Sequence, residues 1–144
     1  MANYYDSCPI PKPRSNKKKK AFNGYKDKKN RYCYYCGTPY AERHEVYGGA
    51  NRQKSILNKW QVDLCHSCHE EMQANITERA KRRNLYWRQK FQREYETRLI
   101  LSGITPEQAR DLWIEDVGRN YLDVWKRNGN DEWHLPILRT SDSR

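Results

Sequence analysis

The sequence predicts an α+β fold: a small core of two strands and a helix closed by a bound metal, a basic arm before it and helices after it. Three observations predict this. Two Cys-x-x-Cys pairs bracket a 28-residue segment, apolar residues alternate at the second end of that segment, and the pattern beyond residue 75 changes to a helical period. The chain has 144 residues, 36% apolar and 32% charged. That is one domain's worth of chain, but too polar for a large core along its whole length. Small folds short of core commonly add a metal or disulfides.

Residues 1–31 hold ten Lys or Arg, including the run Lys17, Lys18, Lys19 and Lys20, against Asp6 and Asp27, so +8 of the chain's +10 lies there. With Pro9, Pro11 and Pro13 and little to bury, 1–30 is expected to be a disordered basic arm. Clustered cations favour a polyanion, most often nucleic acid, over a solubilising tail. No apolar run approaches the ~20 residues of a membrane span, and no apolar signal-peptide core is present. A cytoplasmic protein with no membrane partner is expected. Thiols stay reduced there, so paired cysteines point to metal.

The core is expected over 31–75. "RYCYYCGTPY" reads as a short strand, a knuckle and a turn, and "AERHEVY" as a strand. "GGANRQKS" reads as a loop, and "WQVDLC" as a second strand with Trp60, Val62 and Leu64 on one face. "HSCHEEMQAN" lacks breakers and starts a helix. Residues 76–127 are expected to be helical. Ile76, Ala80, Trp87, Phe91, Tyr95 and Leu99 share one face of a long helix over 76–101. Thr105-Pro106-Glu107-Gln108 opens another as a capping box, with a break at Gly118. Residues 128–144 form an extended tail, of which "EWHLPIL" is placed back over the core. Nothing in the pattern fixes an oligomeric state.

Cys33, Cys36, Cys65 and Cys68 have the two-residue gaps of zinc knuckles, and four thiolates complete a closed tetrahedral site without room for water. The zinc would be structural, with His66 a less favoured substitute ligand. If the knuckles meet at one ion, the enclosed strands pair and the helix starting near Cys68 packs on them, bringing His44 and His69 together. Two such imidazoles beside a basic surface suit phosphodiester hydrolysis, one activating water and the other holding a divalent ion such as Mg²⁺ or Mn²⁺. Glu45, Glu42 or Asn58 would complete that ion's oxygen-rich shell. Asn51, Arg52, Lys54 and Ser55 read as phosphate contacts, against the alternative of an ordinary polar loop.

The segment "CYYCGTPYAERHEVYGGANRQKSILNKWQVDLCHSCHEEM" resembles the HNH (ββα-metal, His-Me finger) endonucleases in their zinc-ribbon form, and more narrowly the phage-encoded members with a "GGANR-x-x-S" loop. "WIEDVGRNYLD" is similar to the "F-G-K-N-Y-L" ending of those phage proteins. Together these cover about 31–75 and 112–123. The resemblance implies that His44 is the strand histidine, as general base or metal ligand, and that His69 is the helix metal ligand. Three positions depart from the family pattern. The strand ends His44-Glu45 rather than in His, which in one register makes His44 the ligand and Glu45 the base. Trp60 stands where a central Asn is usual, with Asn58 two residues earlier. Gln73 stands where a further His often follows. Two readings result: a metal-dependent DNA endonuclease of phage recombination, processing or packaging, or a non-catalytic zinc-ribbon protein that binds nucleic acid or a host protein as an inhibitor or adaptor.

Overall fold

The computed structural model describes residues 25–127, Gly129 and 133–135. Within them the chain is α+β, with helices packed around a small antiparallel sheet. Residues Tyr25–Asn30 form a 3-10 helix, so this last stretch of the expected disordered arm is regular structure instead. The rest of the expected arm, including Lys17, Lys18, Lys19 and Lys20, lies outside the described residues.

Strand β1 (Glu42–Glu45) pairs antiparallel with β2 (Gln61–Leu64), placing His44 opposite Val62. The alternation of "WQVDL" is realised: Trp60, Val62 and Leu64 are all buried. The connection is not the expected loop. A 3-10 turn at Gly49–Asn51 runs into helix α1 (Arg52–Leu57). Gly49 sits at φ +58, which favours glycine. Helix α1 is held because Ser55 and Ile56 are buried and the Ser55 hydroxyl both donates to the Tyr47 carbonyl and accepts from the Tyr47 amide.

Helix α2 (His66–Ala74) starts at its own metal-type knuckle: the Cys65 sulfur caps it by accepting from the Cys68 amide. It stops at Asn75, in the left-handed region. Thr77 caps helix α3 (Glu78–Leu101), so Ile76 is not a helical core residue as expected but lies exposed before the cap. Ala80, Trp87 and Phe91 are buried as the spacing required, and Asn84, Gln92 and Glu96 share their burial. Helix α4 (Pro106–Val117) has the anticipated capping box at Thr105 and Gln108 and ends at Gly118.

The core joins both halves. Tyr47, Trp60, Tyr95 and Trp113 meet in edge and tilted ring contacts 5.2–6.2 Å apart, pairs worth about 0.5–1.5 kcal/mol each beyond burial. Tyr121 packs on Tyr47 at 5.9 Å. Beyond α4 the chain is not helical. Residues 119–125 are instead strapped across α3 and α4: Gln92 accepts from the Tyr121 amide, Gln89 donates to the Tyr121 carbonyl, and Trp113 donates to the Arg119 carbonyl. Short strands β3 (Lys126–Arg127) and β4 (Trp133–His134) then pair, and Leu135 is buried. The remainder of the expected tail lies outside the described residues. Among those residues, no helix is long and apolar enough to cross a membrane.

Candidate functional site

Two groups of side chains stand out. In the first, the ligand atoms of Cys33, Cys36, Cys65 and Cys68 all lie within 4.8 Å of one another, and Cys36 and Cys65 are 3.5 Å apart. A tetrahedron with Zn–S bonds of about 2.3 Å has S···S edges of about 3.8 Å, so the cluster fits a tetrahedral metal ion and can hold zinc. Backbone bonds build the cage: Cys33 N–H to Thr38 O, Gly37 N–H to Cys33 O, and Tyr34 N–H to Asp63 O, which ties the first knuckle to β2. The Thr38 hydroxyl and amide beside Cys36 bring that thiol down to about 6. Burial, then the crowding of Cys65 and Cys33, pushes Cys68 up to about 12. Four thiolates at this spacing need a cation to coexist. His66 is not part of the cluster; its ring is exposed and lies 3.2 Å from Glu70 and 3.7 Å from Glu42.

The first knuckle also rests on α3. The Trp87 indole N–H donates to the Tyr35 hydroxyl at 2.8 Å, and the Arg83 guanidinium lies 3.6 Å over the Tyr35 ring. This fixes the cysteine cluster relative to the helices and to the second group.

The second group forms a cleft of about 280 Å³ between the end of β1, α2 and α3. His44 on β1 and His69 on α2 face each other edge to face, ring centroids 5.1 Å apart. His69 Nδ1 donates to Glu42 Oε2 at 2.7 Å, which leaves Nε2 with the lone pair when the ring is neutral. The His69 bond and the Lys28 ammonium hold the Glu42 carboxyl below the ordinary glutamate range. Burial, then the nearby His69 and Arg88, brings His44 down to about 4, partly offset by the Asn84 side chain. His44 is therefore neutral at pH 7. Glu45 also lines the cleft, 3.5 Å from Arg52 Nε and 3.4 Å from Gln61 Nε2.

Four expected members are elsewhere. Asn58 caps the end of α1 and is not in the cleft, because its amide folds back on the Lys54 carbonyl at 2.9 Å. Lys54 bonds to the carboxylate and the carbonyl of Asp116, and Asn51 donates to the Val117 carbonyl at 2.8 Å. Ser55 is fully buried. Of the four loop residues read as phosphate contacts, only Arg52 reaches the cleft, and the other three hold α1 in place.

Asn84 and Arg88 of α3 also line the cleft, and neither is among the candidate residues of the sequence. Asn84 donates to the Met72 carbonyl and to Asn75 Oδ1, joining α2 to α3. Its signal was present: a polar residue between Ala80 and Trp87 on a buried helical face needs a partner. Comparison with protein-family models, with curated proteins and with solved structures returned no match.

Proposed function

We propose that this protein is a metal-dependent endonuclease of the HNH type acting on DNA, with a structural zinc on its four cysteines. The observation that supports the reading most is the cleft. Two imidazoles from a strand and a helix converge there, one of them oriented by a carboxylate, between Arg52 and Arg88. Phosphodiester hydrolysis needs a base for water, neutralisation of the phosphate and a polarising cation. His69 offers Nε2 to such a cation, Mg²⁺ or Mn²⁺, with Glu45 as the second ligand. The cation would supply charge stabilisation at the phosphate. His44, neutral at pH 7, takes the proton that water loses as its oxygen bonds to phosphorus and the bond to the leaving oxygen breaks. In the other register His44 joins the ligands and Glu45 takes the proton. The arm and its lysines would add backbone contacts with no sequence preference. A phage origin and a role in recombination or DNA processing rest on the sequence resemblance alone.

The test is conversion of supercoiled plasmid with Mg²⁺ or Mn²⁺. The wild type should nick it, and His44→Ala should abolish nicking while keeping its zinc, since His44 is outside the cysteine cluster. Full activity in that variant removes His44 from catalysis. A zinc-loaded wild type that cuts nothing favours the non-catalytic reading, a zinc-ribbon protein that binds nucleic acid or a host protein as an inhibitor or adaptor. One observation points that way: Trp60 at the usual Asn position is a core residue, and Asn58 does not stand in for it.

A further inference from the structure

We propose that Arg88 is the anion-binding residue of the cleft and holds a non-bridging oxygen of a phosphodiester against the His44–His69 pair. The inference rests on the phosphodiesterase reading but stands on its own observation, the charge left over among the cleft's side chains. Glu45 is matched by Arg52 at 3.5 Å, and His69 by Glu42 at 2.7 Å. His44 is buried beside His69 and, among the described residues, carries no acidic partner. Arg88 remains. Among the same residues its Nε is sealed from solvent without a hydrogen-bond partner, and no carboxylate pairs with its guanidinium.

A donor nitrogen sealed from water without an acceptor is costly, and the half-buried Arg88 is held in place. The Arg88 carbonyl accepts the Tyr47 hydroxyl at 2.6 Å, and its guanidinium carbon lies 5.6 Å from the Tyr121 ring. Gly48 and Gly49 line the same cleft, where an added Cβ would meet only open space, so a sugar-phosphate backbone can approach closely. Arginine's planar fork suits a phosphate, with two parallel N–H donors for one anion.

The test uses the full zinc-loaded chain and Arg88→Met, which keeps the aliphatic stem and removes the charge. Binding of a short fluorescent DNA duplex, without added divalent cation, should weaken about 10-fold. The slope of log affinity on log salt should fall by about one. Cleavage, where the wild type cleaves, should drop about 100-fold. Wild-type binding and cleavage in Arg88→Met, with melting temperature and zinc content unchanged, overturns the proposal. If Arg88→Met melts early, Arg88→Lys decides: a folded lysine variant that regains the salt slope supports an anion site, and one that binds no better than methionine refutes it. The two readings separate cleanly. A wild type that never cleaves, while Arg88→Met still loses affinity, keeps the anion site and removes hydrolysis. An Arg88→Met protein that cuts normally, while His44→Ala is inert, keeps hydrolysis and removes Arg88.

Discussion

Replacing Arg110 by alanine should strongly destabilise this protein's helical half. Glu96 is fully buried in α3. Its carboxylate takes two bonds from the Arg110 guanidinium, at 2.7 and 3.2 Å, one from Gln92 at 2.7 Å and one from the Trp125 indole. The same guanidinium reaches the carbonyls of Leu122 at 3.3 Å and Asp123 at 2.7 Å. Removing it leaves a buried carboxylate with two neutral donors and releases the strap after α4. Breaking one side of a buried ion pair costs about 3–5 kcal/mol, which for a domain of this size lowers Tm by about 10–17 °C. Thermal unfolding followed by far-UV circular dichroism measures it, with zinc in excess so that metal mass action does not vary between variants. Arg110→Met with Glu96→Leu should recover most of the loss, because no unpaired charge remains. A loss below about 1 kcal/mol for Arg110→Ala would refute the reasoning, since the network would then be no stronger than an exposed ion pair.

Native mass spectrometry should find one zinc per chain, and chelation should collapse the Tm because structural zinc contributes on the order of 10 kcal/mol to folding; a metal-free protein that melts normally would contradict this. Removing residues 1–24, which leaves the 3-10 helix at Tyr25–Asn30 intact, should weaken duplex binding and flatten its salt dependence, and an unchanged slope would make those residues solubilising only. Lys54→Ala should lower Tm modestly, through loss of its Asp116 contacts, with the salt slope of DNA binding unchanged; a slope reduced by about one would return Lys54 to the phosphate contacts.

Wherever local chemistry dictates conformation, the fold could be read directly. The Thr105–Gln108 capping box, the break at Gly118 and the buried Trp60, Val62 and Leu64 all follow from short-range rules. Helix α1 is not legible in the sequence, because Gly48 and Gly49 read as a loop. Its stability comes from outside the segment, from burial of Ser55 and Ile56 and from bonds to Tyr47 and α4. The candidate site was half legible. The cysteine spacing implies closure, and closure implies that His44 and His69 meet, as they do at 5.1 Å. Asn58 reads as a ligand because it lies two residues before Trp60, where the resemblance expects a central Asn, yet only tertiary geometry reveals that its amide bonds back to Lys54. Arg88 carried no sequence signal at all, being one of eight Lys or Arg over 78–98.

The two separate segments on which the family resemblance rests turn out to be neighbours. Residues of the "GGANRQKS" stretch bond to the end of α4, Asn51 to the Val117 carbonyl and Lys54 to Asp116. Tyr47, just before that stretch, packs on Trp113 and Tyr121 of the tail segment. Within the tail, Asn120 accepts from Gln92 and from the Leu122 amide and donates to the Leu122 carbonyl, so its side chain folds the strap back on α3. Asn51, Lys54, Ser55, Asp116 and Asn120 are thereby spent on architecture, while Arg52 lies at the cleft. The physical reason is the small sheet. Two four-residue strands cannot bury His44, Trp60 and Tyr47 unaided, so the loop, α3 and the strap enclose them together. That enclosure is what gives the cleft a wall on α3 and brings Arg88 to it. Loosening the strap, as Arg110→Ala does, should therefore weaken DNA binding through Arg88 even in molecules that remain folded.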